Sequence, residues 1–128
     1  MYAPYKLKGT LMLRDTPLLE FQIIEGLTAY CKLIEPDINK YPYVLFRHPE
    51  EIDDNLPEYF LERLTPMSRQ GLFEDLKKIG MNGYDPTKLL KYQNASCAHD
   101  CYWVRFKTGV QTWEELQEQI RTRGINNG

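Results

Sequence analysis

The sequence predicts an α+β fold: a small antiparallel sheet, made of an N-terminal three-stranded meander plus a later strand, covered by three to four helices. Three observations carry this. β-prone runs joined by short links fill roughly the first third of the chain. Helix start and stop signals then recur from about residue 55 onward. The 128 residues fit one domain over 1–128, without internal repeat, low-complexity segment or linker.

Thr10–Leu13 is a short apolar run, and Arg14, Asp15 and Thr16 turn the chain. Leu18–Ile24 alternates, with Leu19, Phe21 and Ile23 on one side and Glu20 and Gln22 on the other. Glu25-Gly26 reads as a tight turn, glycine supplying the positive φ. Thr28–Ile34 is the third run, and Tyr43–Phe46, beyond Pro36 and Pro42, reads as a fourth, edge strand. Asn55 is a candidate cap for a helix over Leu56–Leu64, with Pro57 in its first turn. Thr65-Pro66 opens another helix, whose apolar positions Leu72, Phe73, Leu76 and Ile79 share a face before Gly80 stops it. Asp85-Pro86 caps a helix to about Asn94, and Tyr102–Phe106 alternates as a strand. Thr112-x-x-Glu115 is a capping box opening a helix to about Arg123, with Leu116 and Ile120 facing the core and Gly124 as terminator. Asn126–Gly128 forms a frayed tail.

Net charge is −2, from 16 Lys+Arg against 18 Asp+Glu, so general attraction to phosphate is not supported. The charge is uneven: residues 1–64 carry 7 basic and 11 acidic side chains, residues 65–128 carry 9 and 7. The acids gather at Glu50, Glu51, Asp53, Asp54, Glu58 and Glu62; the bases Arg69, Lys77, Lys78, Lys88, Lys91, Arg105 and Lys107 follow. No targeting signal and no run near the ~18 apolar residues of a membrane span is visible. The expectation is a soluble, cytoplasmic protein with its three cysteines reduced.

Cys97-Ala98-His99-Asp100-Cys101 holds three metal-capable side chains, and Cys31 is the other candidate ligand. Structural zinc usually takes two separated ligand pairs, and no spacing here demands Cys31, Cys97, His99 and Cys101 as a set; no metal and no cofactor are expected. A cysteine nucleophile needs a base and an orienting group, and no third group is evident beside His99. Phosphate-cradling glycine loops are absent, and Gly80-Met81-Asn82-Gly83 reads as a helix stop and turn. Asp53/Asp54 and Glu114/Glu115 lie at predicted helix starts, where acids favour the helix dipole. Arg69, in the Thr65–Arg69 helix opening, is placed to pair with an anion or to cap and pack. No catalytic set emerges.

Several segments, taken in order, resemble one family. Leu11-Met12-Leu13-Arg14-Asp15-Thr16-Pro17-Leu18-Leu19-Glu20-Phe21 is similar to the "LMxKDxPVLxF" start of a HipA-like kinase group of bacterial mobile elements. Arg63–Leu72 resembles its "R-x-I-P-x-S-R-x-G-L". Leu89-Leu90 with Ala95–Val104 resembles its "LL…GLSLSDxYWI", Asp100, Tyr102 and Trp103 matching; Thr112–Leu116 resembles its "W-E-D-I". The "GLSLSD" stretch departs to Ala95-Ser96-Cys97-Ala98-His99-Asp100. The resemblance covers about residues 10–117 and is to the N-terminal, non-catalytic region, so it implies partner binding and no kinase activity.

The reading that follows is a non-enzymatic protein-binding module of a phage or mobile element, modulating a kinase-like toxin or another host protein. Candidate contacts are Arg69, Asp100, Tyr102 and Trp103, since exposed Trp, Tyr and Arg supply hot-spot energy; Tyr102 and Trp103 fall on opposite sides of a strand, so at least one belongs to the core. One alternative is a phage inhibitor of a bacterial defence system, of anti-CRISPR type, acting through the acids Glu50, Glu51, Asp53 and Asp54. A second is a nucleic-acid-binding module, which needs the bases from Arg69 to Lys107 on one face.

Overall fold

A computed structural model describes residues 6–24, 28–46, 52–64, 71–78, 80–81, 83, 85–97 and 100–122. Four strands, β1 (Leu7–Leu13), β2 (Thr16–Ile24), β3 (Thr28–Leu33) and β4 (Tyr102–Arg105), form an antiparallel sheet in the order β3-β2-β1-β4. Among the described residues five α-helices accompany it: α1 (Tyr43–Phe46), α2 (Ile52–Leu61), α3 (Leu72–Lys78), α4 (Pro86–Gln93) and α5 (Trp113–Thr122), with a 3-10 turn at Ile38–Lys40. The fold is α+β, as the sequence predicts.

The β1–β2 hairpin turns at Arg14-Asp15, where Arg14 takes φ 51° and its N–H donates to Cys101 O at 3.0 Å. The register runs from Leu7↔Ile23 to Leu11↔Leu19, then shifts to Met12↔Pro17. Leu18 is thereby the extra residue of a bulge, a place where Pro17, which has no N–H to give the ladder, is tolerated. β4 pairs with the other side of β1, Thr10↔Arg105 to Leu13↔Tyr102, so β1 is an interior strand of the sheet.

Alternation divides the sheet into two faces. Leu7 and Leu11 of β1 and Leu19, Phe21 and Ile23 of β2 bury inward against Leu45 of α1, Leu56, Tyr59 and Phe60 of α2 and Leu90 of α4. The Phe21 and Phe60 rings lie 4.7 Å apart, centroid to centroid. On the outer face Met12 and Trp103, opposite each other across β1 and β4, are sealed by Leu116 of α5. Leu76, Met81 and Leu89 form a third cluster joining α3 to α4.

The helix signals at Asp85, Thr112 and Gly80 correspond to real caps. Asp85 accepts from Lys88 N, with Pro86 opening α4. Thr112 and Glu115 exchange side chain-to-backbone hydrogen bonds at 3.1 Å each at the start of α5. After α3, Gly80 (φ 83°) donates to Lys77 O and Met81 to Leu76 O, the paired bonds of a Schellman close, with Met81 packed on Leu76. Ile120 is half-buried rather than buried.

Two readings are corrected. Tyr43–Phe46 is a helical turn and not an edge strand: a strand would put Tyr43 and Leu45 on one face, yet Tyr43 is 75 % exposed and Leu45 fully buried. Short apolar runs carry too few residues for periodicity to separate the two states. α2 begins at Ile52, so Asn55 is inside it rather than capping it, and Pro57 lies past the first turn at the cost of one backbone bond. The expected turn at Glu25-Gly26, the helix opening at Thr65-Pro66, the stop at Gly124 and the tail lie outside the described residues.

Gly9 marks a close approach in β1: a Cβ there would meet Val104 Cγ1 at 2.7 Å and Arg105 O at 3.0 Å. Gly9→Ala should lower the urea midpoint, a loss of about 1–3 kcal/mol from overpacking at unchanged m. Gly83→Ala, with nothing within 4 Å, should stay within about 0.5 kcal/mol of the parent.

Candidate functional site

Arg63 follows α2, where Arg63 N bonds Phe60 O and Leu64 N bonds Leu61 O as the helix tightens into its last turn. Its side chain runs inward, 7 % exposed. Nε donates to Ala95 O at 2.6 Å, Nη1 to Asp100 Oδ2 and Nη2 to Asp100 Oδ1 at 2.7 Å each, and Nη2 also to Tyr102 O at 2.8 Å. The guanidinium lies over the Tyr59 ring, 5.2 Å from its centroid. Asp100 Oδ1 also accepts from Tyr102 N at 3.0 Å. Burial works against the Arg63 charge, but the bonds to Asp100 and the proximity of Tyr59 and Cys97 more than offset it, and its pKa ends above the ordinary value. Burial pushes the Tyr59 phenol well up, and among the described residues its hydroxyl finds no hydrogen-bond partner.

A second tie holds the same region. Asn94 ends α4 in the left-handed conformation (φ 53°), its carbonyl accepts from Val104 N at 2.8 Å, and its Nδ2 donates to Val104 O at 3.1 Å. Arg63 and Asn94 together fix β4 beside β1. Neither residue was a sequence candidate. Arg63 has one local signal, Tyr59 four residues before it on the helix face, but Asp100, 37 residues away, announces nothing.

The predicted contact residues separate. Trp103 is fully buried and its indole donates to Arg14 O at 2.7 Å, which withdraws it from any docking surface. Asp100 is one-third exposed, but both carboxylate oxygens serve Arg63. Tyr102 is half-buried, its hydroxyl donating to Lys40 O at 2.9 Å. Asp53 is exposed on α2, and Asp54 follows it there. Arg69, Glu50 and Glu51 lie outside the described residues.

Of the metal candidates, Cys31, Cys97 and Cys101 are free thiols and His99 lies outside the described residues. Among the described residues no three metal-capable side chains gather. Cys31 is on β3, and partial burial, then a hydrogen bond to Asp53, pushes its thiol up to about 12. That is the opposite of a nucleophile's thiolate.

What the structure leaves exposed is more telling. Among the described residues the exposed large apolar side chains are Tyr30, Leu33, Ile34, Ile38, Tyr43 and Val44, all within residues 30–44. β3 is an outer strand of the sheet. Ile34 N bonds Leu18 O, and the ladder's alternation then turns Tyr30 and Lys32 toward β2 and leaves the N–H and C=O groups of Ala29, Cys31 and Leu33 facing outward.

No family model, curated protein or solved structure matches the chain, so no comparison ties it to the HipA-like kinases whose motifs it resembles. Among the described residues no helix is long and apolar enough to cross a membrane.

Asp100→Ala strands a buried guanidinium and should cost about 3 kcal/mol in chemical denaturation; Arg63→Lys, which cannot reproduce the forked contacts, should also destabilise. The raised Cys31 pKa stabilises the fold fully below the ordinary thiol value of 9.0 and loses that contribution as pH rises toward about 12. Any stability gap between the parent and Cys31→Ala should therefore shift against the parent over that window, and Cys31 should be the slowest thiol in iodoacetamide labelling at pH 8, read by peptide mass.

Proposed function

We propose that this chain is a non-enzymatic protein-binding module that docks a partner on the β3 edge, the 3-10 turn and α1. The gathering of the exposed large apolar side chains among the described residues within residues 30–44 carries the reading. Contiguous exposed apolar surface marks interaction sites, and tyrosines such as Tyr30 and Tyr43 supply contact area at low entropic cost. The outward main-chain groups of Ala29, Cys31 and Leu33 suit an extended segment of the partner, added to the sheet as a further strand. The order of the HipA-like motifs supports a kinase-like toxin or another host protein as that partner, and a phage or mobile element as the origin. Inhibition of a bacterial defence system through the acidic run would rest on Asp53, the one side chain of Glu50, Glu51, Asp53 and Asp54 seen exposed, and has less support.

A photo-crosslinking residue placed at Tyr43 should yield, in cells of the source, an adduct with one defined protein, absent when the probe sits at Lys88 on α4. Leu33→Pro removes an outward N–H and leaves the β2 ladder intact; it should abolish the adduct while the melting temperature holds within a few degrees. An identical adduct from Lys88, or no adduct from Tyr43, would sink the proposal.

A further inference from the structure

We infer that the clefts around Lys8 of β1 form a binding groove for single-stranded nucleic acid. Three clefts share this one side chain. The first, about 450 Å³, lies between α4 and the segment after β4 and includes Lys91, Tyr92, Phe106 and Lys107 in its wall. The second, about 330 Å³, adds Lys6 and shares Lys8 and Lys91. The third, about 400 Å³, crosses β1 toward Arg105 and shares Lys8, Phe106 and Lys107. The three clefts meet at shared residues, Lys8 in all of them.

Charge decides the ligand class. Lys6, Lys8, Lys91, Arg105 and Lys107 line these three clefts with Glu20 as their carboxylate, while an acidic cleft with Glu114, Glu115 and Glu118 adjoins the first at Val110 and Gln119 and bounds the basic surface there. None of the five cations pairs with a carboxylate among the described residues. The whole chain carries −2, so this surface inverts the sign of the molecule around it and draws a polyanion to one place. Aromatic placement narrows the class further. Phe106 and Tyr92 are half-buried beside these cations, Phe106 packed on the inner core and Tyr92 on the Leu76–Met81–Leu89 cluster, each with part of its ring at the surface. Cations for phosphates interleaved with rings for unstacked bases are the two elements of single-strand binding, whereas a duplex hides its bases and would use the cations alone. Gly9 permits this geometry: β4 and Phe106 lie so close to β1 that a Cβ at residue 9 would stand 3.3 Å from the Phe106 ring. Gln111 Nε2 donates to Phe106 O and Gly109 O, which closes the segment into a wall.

The site is independent of the proposed β3 docking edge. Fluorescence anisotropy with labelled 15-nucleotide oligo(dT) and oligo(U) tests it on the full chain. Saturable binding should weaken about 100-fold between 50 and 200 mM salt, as about five phosphate contacts require. Lys8→Ala, Lys91→Ala and Lys107→Ala combined should flatten the log–log salt slope by about 2, with the circular dichroism spectrum unchanged. Tyr92→Leu should weaken binding at the same slope. A preference between the two oligonucleotides assigns DNA or RNA. Absence of binding at 50 mM salt, an equal response to a duplex of the same length, or binding of an acidic peptide in place of the oligonucleotides would overturn the inference.

Discussion

The buried guanidinium of Arg63 is the constraint on which the rest of the structure hangs. A charge removed from water must be matched by acceptors at the right places, and the acceptors here lie along one stretch distant from Arg63 in sequence: Ala95 after α4, Asp100 before β4 and Tyr102 within it. The end of α2 is thereby locked to the approach of β4. With β4 held, β1 becomes an interior strand and Met12 and Trp103 face each other beneath α5. The same placement brings Phe106 and Lys107 beside Lys8. One side chain organises the inner layer, the outer layer and the cationic clefts.

Where the fold was legible in the sequence, the signals were local and redundant. β2 carries a strict alternation over five residues, and the structure follows it. Asp85-Pro86 and Thr112-x-x-Glu115 each combine a cap with a second helix-start feature, and both caps form. Elsewhere a β-prone run or a cap residue pointed to the wrong element or boundary. Tyr43–Phe46 offered β-prone side chains without enough length to show a period. Asn55 is a good cap residue in isolation, but Ile52–Asn55 was already helical. The site was less legible than the fold because its parts meet only in space: Arg63 with Asp100, Lys8 with Lys91 and Lys107. Tyr102 and Trp103 illustrate the limit well. Alternation assigns them to opposite faces, but which face α5 covers is a tertiary fact.

The sheet order separates two kinds of surface. At the β3 side lie apolar side chains and open main-chain groups; at the β4 side lie lysines, Arg105 and two half-buried rings. The hairpin-first topology generates this division, because β3 is reached by continuing the meander one way and β4 can join only on the other flank of β1. The interior strand β1 contributes Lys8 to the basic side and Leu7 and Leu11 to the core, so the pleat itself distributes chemistry between the layers.

Both tryptophans of the chain belong to the outer cluster, Trp103 at its centre and Trp113 at its margin beside Leu116. Emission excited selectively from tryptophan therefore reports on the β1–β4–α5 layer and is nearly silent about the Phe21–Phe60 layer on the other face. Loss of α5 alone would wet both indoles and resemble complete unfolding by that signal, while the inner core and its tyrosines stayed packed. Amide exchange or far-ultraviolet circular dichroism would see two layers where tryptophan emission sees one.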